Sequence, residues 1–324
     1  MPSICSVLGA GFALYLSYRV LDFVWLYARP SGLKRYLHHG GINGDQPAWA
    51  LVTGATDGIG KAISSELAAK GFNVVLHGRN IRKLEDVRAE LSKAHPERSF
   101  QTLVIDAVDY CRDGATVADL EALLLDTVRD LHLSVLVNCA GAGPQPTFGT
   151  LESYGGDDVL NTLHLNAAFP ALMSRALIPV LLRNRRPGLI INIASVTDTG
   201  LPLVSFYGAS KAFGHVLSLS LWRESQLEGR SGALEVVSHR VGATTATSHE
   251  RRLPSFFWPA AGTLAEAVLA RTGCGRKSVV PYWPHALQQV VLAILPESLS
   301  DKLLIEALRA RRAKQDSEPS RKKA

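Results

Sequence analysis

Between Ala48 and Pro281 the chain alternates short apolar runs with segments of helical period, and this alternation restricts the fold more than any other feature. Residues 48–53 form a short apolar run of strand length, residues 60–70 place their apolar side chains at helical spacing, and residues 72–77 are again strand-like. The pattern continues with a helix at 81–93, a strand at 102–106, a helix at 117–131 and a strand at 134–138. Helical period then runs from 158 to 184, followed by a strand at 189–194, a helix at 207–227, a strand at 235–239, a helix at 263–271 and a strand at 278–281. Strands that are apolar throughout and separated by helices must be covered on both faces, which is the condition of a parallel sheet. The expected fold class is therefore α/β, a doubly wound parallel sheet of seven strands.

A chain of 324 residues that is 47% hydrophobic can build one large domain with appendages. Its four cysteines, Cys5, Cys111, Cys139 and Cys274, show no Cys-x-x-Cys or Cys/His ligand spacing, so neither a disulfide framework nor a metal site is expected, and Cys139 reads as buried filler. Net charge is +6, but five of those charges belong to the last stretch, from Arg309 to Lys323. With no basic stripe interleaved with aromatics and no zinc-finger or helix-turn-helix signature, nucleic acid is not an expected partner.

Residues 4–18 are almost free of polar groups, and after Arg19 and Asp22 the run Phe23-Val24-Trp25-Leu26-Tyr27-Ala28 resumes the apolar character. Together they reach the roughly 20 apolar residues a bilayer requires. Arg19 and Asp22, three apart, are expected to pair on one helix face. A cleaved signal peptide is the rival reading, but no basic segment precedes the run and no small-x-small cleavage site follows it. A surface-lying amphipathic hairpin anchored by Trp25 and Tyr27 is the other alternative. Arg29, Lys34 and Arg35 would hold the following domain on the cytoplasmic side. The expected organisation is a membrane anchor and juxtamembrane segment at 1–35, a catalytic domain at 46–284, and an apolar helical segment with a basic tail at 285–324. That last segment, apolar at helical spacing around Pro296 and Glu297, reads as core packing, a lid or a second membrane contact.

Gly54, Gly58 and Gly60 sit where the first strand turns into the first helix of the repeating pattern. Backbone N–H groups and the positive helix end receive a pyrophosphate at such a turn, and glycine lets the backbone approach. Where the second strand ends, an acidic residue would accept the ribose hydroxyls of NAD; the chain has His77-Gly78-Arg79-Asn80, and Arg79 can balance the 2′-phosphate of NADP. Asp106 reads as an adenine contact or a turn-forming aspartate. Tyr207 and Lys211, four apart, share one helix face, where a lysine cation can hold a tyrosine ready to exchange a proton. Ser195 lies twelve residues upstream.

Taken in order, Thr53-Gly54-x-x-x-Gly58-x-Gly60, Asn138-Cys139-Ala140-Gly141, Asn166, Ser195 and Tyr207-x-x-x-Lys211 resemble the motifs of the short-chain dehydrogenase/reductase family, a Rossmann-type fold, over residues 48–281. Gly54-Ala55-Thr56-Asp57-Gly58-Ile59-Gly60-Lys61-Ala62 with Glu66-Leu67-Ala68, Asn73-Val74-Val75-Leu76 and Arg79 is similar to the membrane-bound branch of very-long-chain 3-oxoacyl-CoA reductases and 17β-hydroxysteroid dehydrogenases. The resemblance implies a catalytic set of Tyr207, Lys211, Ser195 and Asn166. Tyr207 would be the general acid, with a pKa lowered by Lys211 and by the oxidised nicotinamide; Ser195 would bind the substrate carbonyl; Asn166 would support a water-linked proton relay, although Asn161 and Asn184 lie nearby. It also implies an NADP(H) site of Gly54, Thr56, Gly58, Ile59, Gly60, Arg79, Asp106, Asn138, Tyr207 and Lys211, with Asn138 and Gly141 shaping the floor under the adenine and ribose and stabilising the fourth strand, without a chemical role.

Two departures from that branch bear on the substrate. Ser195 to Tyr207 is one residue shorter than usual, and the proline expected after the sixth strand is absent from His239-Arg240-Val241-Gly242-Ala243-Thr244-Thr245-Ala246-Thr247, any of whose threonines can reach the carboxamide. The expected function is an NADPH-dependent ketoreductase of the endoplasmic reticulum membrane acting on a lipophilic ketone, with Arg321-Lys322-Lys323-Ala324 similar to dibasic retrieval signals. A steroid or specialised-metabolite dehydrogenase and a catalytically silent NADP-binding membrane scaffold are the alternatives. A homodimer through the helices bearing Asn166 and residues 207–227 is the further expectation from the resemblance.

Overall fold

In the computed structural model, residues 3–40, 44, 46–111, 116–183, 186–245 and 252–317 are described. The retrieval-like end at 321–324, Asn184 and Thr247 lie outside them. The seven expected strands are present: β1 (Ala48–Val52), β2 (Asn73–Gly78), β3 (Phe100–Val104), β4 (His132–Asn138), β5 (Gly188–Ser195), β6 (Leu234–Val241) and β7 (Ser278–Val279). They form one sheet in the order β3-β2-β1-β4-β5-β6-β7, parallel throughout. The chain reverses its winding direction between β1 and β4, so the crevice beyond their carboxyl ends is where a doubly wound sheet binds its ligand.

The continuous apolar character of the strands follows from burial on both faces. Ala48, Ala50, Val52, Val74, Leu76, Val135, Val137 and Ile191 pack on one face, beneath α2 (Gly58–Ala69), α3 (Ile81–Ala94) and α8 (Ala261–Ala270). Trp49, Leu51, Val75, Leu133, Leu136 and Ile190 pack on the other, beneath α4 (Val117–Thr127) and α6 (Phe169–Arg183). Ser, Asn and Thr side chains start three of the helices: Ser3 caps α1 (Ile4–Ala28), Asn80 caps α3, and Thr116 with Asp119 forms a capping box on α4.

Several boundaries differ from the expectation. β3 ends two residues before Asp106, because the Asp106 carboxylate accepts the Val108 N–H at 2.9 Å and turns the chain. The helical stretch expected at 158–184 is α5 (Gly156–Leu163), one π-helical turn at His164–Ala168, and α6. The segment expected around Pro296 is two helices, α9 (Trp283–Ile294) and α10 (Glu297–Ser317), which break at Leu295-Pro296 because proline disfavours a helical residue before it. The remaining helix, α7 (Ser205–Leu227), carries Tyr207 and Lys211.

The apolar helix α1 has 25 residues, mean hydropathy 1.5 over its best window and no buried residue there, a length of about 37 Å. The Arg19–Asp22 pair is not formed. Arg19 donates to the Tyr15 hydroxyl at 2.9 Å, and Asp22 pairs with Arg276 of the folded domain. The juxtamembrane segment is likewise part of the domain packing: Leu33 and Tyr36 are buried in the core, and Tyr36 donates to Glu235 at 2.6 Å.

Candidate active site

The glycine turn is built by contacts that only glycine permits. Gly54 has φ +68°, and a Cβ there would stand 2.8 Å from the Ala140 Cα; a Cβ on Gly60 would stand 2.2 Å from the Gly54 carbonyl oxygen. β1, the turn and α2 therefore approach as closely as backbones can. Thr53 completes the join, its hydroxyl accepting the N–H groups of Cys139 and Ala140 at 2.9 Å each, which ties the end of β1 to the end of β4. His77, fully buried and stacked 5.0 Å from Phe169, accepts the Gly54 N–H at 3.4 Å. Burial pushes that imidazole down to about 4, so it is neutral at physiological pH and suited to accept. The sequence offered a signal for neither role: Thr53 was read only as a motif letter and His77 only as a missing acid.

The first turn of α2 presents N–H groups that have no acceptor inside the helix, on the open side of this turn. Thr56 lays its methyl over Gly78, and Ile59 packs against the core. The donor set and the absence of Cβ atoms fit a dinucleotide pyrophosphate. Arg79, at 75% side-chain exposure, and Asp106 stand 3.9 Å apart at the rim of a cleft of about 320 Å³ that also meets Asp158 and Asn161. Apart from that long ion pair with Asp106, the Arg79 side chain makes no ion pair or hydrogen bond among the described residues, and it reaches the cleft. Asn138 stabilises the fourth strand, as expected of it: its buried amide donates to Asn192 at 2.8 Å and Ser174 at 3.1 Å, so the side chain joins β4 to β5 and α6 and does not face the cleft.

At the carboxyl end of β5 the sequence-selected residues converge. Ser195 accepts the Thr197 N–H at 3.2 Å and the Thr197 hydroxyl at 2.9 Å. Both lone pairs of its hydroxyl are engaged, leaving the Ser195 proton to donate outward. Lys211, buried at 8% exposure, donates to the Ile193 carbonyl at 3.2 Å and holds Nζ 6.0 Å from the Tyr207 ring centre. Asn166, in the π-helical turn, accepts the Ala142 N–H at 3.1 Å and donates to the Ala142 carbonyl at 2.8 Å and to Ser210 at 3.1 Å. Asn161 lines the cleft and does not take that place. Gly141 has a different role from the floor expected of it: a Cβ there would lie 2.7 Å from both Lys211 Nζ and Asn166 Oδ1, so its bareness lets these two groups meet. Lys211, Asn166, Asn138 and Asn192 line a cavity of about 20 Å³, enough for one water molecule.

Burial dominates the titration of the pair. The Tyr207 phenol is pushed above its ordinary value by burial, with the adjoining Ser195 hydroxyl pulling the other way, and burial pushes Lys211 down. The expected lowering of Tyr207 by Lys211 is therefore absent from the protein alone, where the cost of a buried phenolate outweighs an ammonium that is itself disfavoured. Burial also pushes the Cys139 thiol up to about 12, which leaves it an unreactive neutral group.

Three features of the surrounding loops escaped the sequence reading. A 3-10 turn at Val196–Thr199, closed by Gly200 at φ +88°, follows Ser195. Its Asp198, 3% exposed, receives a bidentate bond from Arg240 at the end of β6, at 2.6 and 2.5 Å, which fixes the turn after Ser195 to the end of that strand. Gln315 of α10 reaches back to bond both the N–H and carbonyl of Phe148 at 3.0 Å, so α10 covers the loop opposite Tyr207. In the Thr244–Thr247 region, Thr245 is fully buried and donates to the Arg252 carbonyl, while Thr244 is half-buried and, among the described residues, bonds to the Gly242 carbonyl.

Comparison with known proteins agrees with this geometry. Residues 48–254 match the model of the short chain dehydrogenase family. A very-long-chain 3-oxoacyl-CoA reductase of Ajellomyces capsulatus is 35% identical over 257 residues, 77% of this chain and 72% of that protein. A Caenorhabditis elegans protein named as a steroid dehydrogenase is 28% identical over 325 residues, 96% of each chain. Among solved structures, a short-chain dehydrogenase from Sphingobium yanoikuyae in complex with NADPH superimposes with a TM-score of 0.60 at 23% identity, covering 86% of this chain and 98% of that one. The glycine turn, the doubly wound sheet and the clustered Ser195, Tyr207 and Lys211 thus have one common explanation: the chain belongs to the short-chain dehydrogenase family and is an oxidoreductase fold of that type.

Proposed function

We propose that this protein is an NADPH-dependent ketoreductase of the endoplasmic reticulum membrane, with its catalytic domain on the cytoplasmic side, that reduces a lipophilic ketone, foremost a long-chain 3-oxoacyl-CoA. The observation that carries the reading is the convergence of Tyr207, Ser195 and Lys211 at the carboxyl end of β5, beside the glycine turn, in a chain that begins with an apolar helix. Gly54, Gly58 and Gly60 would hold the pyrophosphate of NADPH and Arg79 its 2′-phosphate, and the cofactor so held would supply the hydride for the carbonyl carbon. Thr244 is the described threonine with room to meet the carboxamide.

The protein supplies the proton and the orientation. Ser195, with its lone pairs held by Thr197, donates its hydroxyl hydrogen to the substrate oxygen and fixes it beside Tyr207. Tyr207 transfers its phenolic proton to that oxygen as negative charge develops. Its raised pKa keeps the proton in place until then. The phenolate so formed is stabilised by Lys211, and its proton is restored along Lys211 and the one-water cavity that Asn166 borders.

A steroid or specialised-metabolite dehydrogenase is the second reading, favoured by the shortened loop between Ser195 and Tyr207 that the Asp198–Arg240 pair fixes. Intact catalytic groups weigh against a silent scaffold. Exposed Phe213 and Val216 on α7 are available for the homodimer contact that the family resemblance implies. The test is NADPH oxidation by detergent-solubilised protein with a long-chain 3-oxoacyl-CoA and a panel of ketosteroids in parallel. Turnover of the acyl-CoA supports the first reading, turnover confined to steroids supports the second, and NADPH binding without any turnover contradicts both.

A further inference from the structure

Helix α9 carries no Asp, Glu, Lys or Arg in its twelve positions, Trp283-Pro284-His285-Ala286-Leu287-Gln288-Gln289-Val290-Val291-Leu292-Ala293-Ile294. Its inner side is held by the domain, through buried Pro284, His285 and Ala286, and His285 packs against Gly242 at the start of the cofactor loop. Its outer side is a stripe of exposed Trp283, Leu287, Val290, Val291 and Ile294, spaced four, three, one and three apart and so on one helix face. Phe256 adds to the stripe through an edge-to-face contact with Trp283, ring centres 5.2 Å apart. A contiguous apolar face of this size on a soluble surface calls for a partner.

The geometry of α1 identifies it. The last two turns of α1 are not a tether but a dock: Asp22 pairs with Arg276, Tyr27 donates to the Val280 carbonyl at 2.6 Å, and Arg271 bonds the Leu26 carbonyl. Just beyond, Arg29 bonds the Cys274 carbonyl at 3.0 Å. Residues 4–21 are left to lie in the bilayer, about 27 Å of helix and slightly less than a hydrocarbon core. With no linker between span and domain, the surface around Val280 must meet the headgroups. α9 begins three residues after Val280, and Tyr282 bonds the Phe256 carbonyl at 3.1 Å, so the apolar stripe is continuous with the point where α1 leaves the domain.

We propose that the outer face of α9, with Phe256 and Trp283 at its margin, lies in the bilayer interface as a second membrane contact. The domain is thereby held with the helix that packs on the cofactor loop against the lipid, the phase in which a lipophilic ketone is dissolved. Aromatic rings at the margin and an uncharged stripe below them suit the headgroup boundary. This inference rests on the membrane anchoring included in the proposed function and on no feature of the catalysis.

The full-length protein is reconstituted in phosphatidylcholine vesicles containing a clickable phosphatidylcholine, with the photocrosslinking residue p-benzoylphenylalanine placed singly at Leu8, at Val290, at Ile294 or at Leu123, an exposed apolar position of α4. Lipid adducts at Leu8, Val290 and Ile294, at least tenfold above those at Leu123, are the expected result. Adducts at Leu8 alone would overturn the α9 contact while leaving the anchor intact, whereas their absence at Leu8 as well would remove the anchoring on which the inference stands. Crosslinks from Val290 and Ile294 to a second copy of the chain would reassign the stripe to a protein interface and equally overturn the proposal.

Discussion

Replacing Asp198 by Asn tests whether the substrate loop is held by charge. The Asp198 carboxylate is 3% exposed and receives two bonds from Arg240, which is 20% exposed. The amide keeps the shape but leaves a guanidinium without its counter-charge. Breaking a fully buried pair costs about 3–5 kcal/mol, and the partial exposure of Arg240 brings the expected loss to about 2–3 kcal/mol. In a domain of this size that corresponds to a fall in Tm of roughly 5–10 °C. Thermal unfolding of the detergent-solubilised protein measures it, together with the double replacement Asp198→Leu with Arg240→Met. Because both charges leave together, the double variant should lose less than the two single variants combined, a coupling of at least about 1 kcal/mol. kcat should fall in Asp198→Asn as well, since Thr197, which orients Ser195, belongs to the same 3-10 turn. A shift of less than about 1 °C, or strict additivity of the two single changes, would refute the reasoning.

Replacing Arg79 by Ala removes a charge-assisted contact to the 2′-phosphate worth about 1.5–3 kcal/mol, so the Kd for NADPH should rise roughly 10- to 100-fold and that for NADH barely change, as read by cofactor fluorescence titration. Gly141→Ala drives a methyl between Lys211 and Asn166 and should lower kcat more than it raises KM, which steady-state kinetics separate. His77 and His239 are buried and held neutral, with folded values of about 4 and about 3. Between those values and the unfolded 6.5 the unfolded chain binds the extra protons, so stability is lost as pH falls through this window, by about 1.4 kcal/mol per pH unit for each histidine. Urea midpoints at pH 7 and pH 5 should therefore diverge, and His239→Leu should reduce the divergence.

What the sequence made legible is what local pattern encodes. The seven strands, their parallel sheet and the glycine turn follow from periodicity and motif spacing, and the grouping of Tyr207, Lys211 and Ser195 from the family resemblance, whereas the strand order did not. The π-helical turn at Asn166 did not show, because one extra residue in a turn barely disturbs the apolar period across 158–184. Contacts between distant segments were also hidden. Arg19 and Asp22 satisfy the local rule for a pair, yet Asp22 binds Arg276, 254 residues away, and Asp198 finds Arg240 across two parallel strands. The strand-stabilising part of Asn138 was legible from its place at the end of a strand, but its partners were not: its amide turns inward, where a buried polar group is stable only with partners such as Asn192 and Ser174. The sign of the Tyr207 shift depended on burial, which spacing does not report.

The central claim, that Tyr207 donates the proton in a ketone reduction, is tested most directly by single-turnover oxidation of bound NADPH in the wild-type protein and in Tyr207→Phe, with a long-chain 3-oxoacyl-CoA as acceptor and NADPH affinity measured alongside. The account predicts a loss of about 10²- to 10⁴-fold in the rate of NADPH oxidation with cofactor affinity within a few-fold of wild type. Unchanged oxidation in Tyr207→Phe would contradict it.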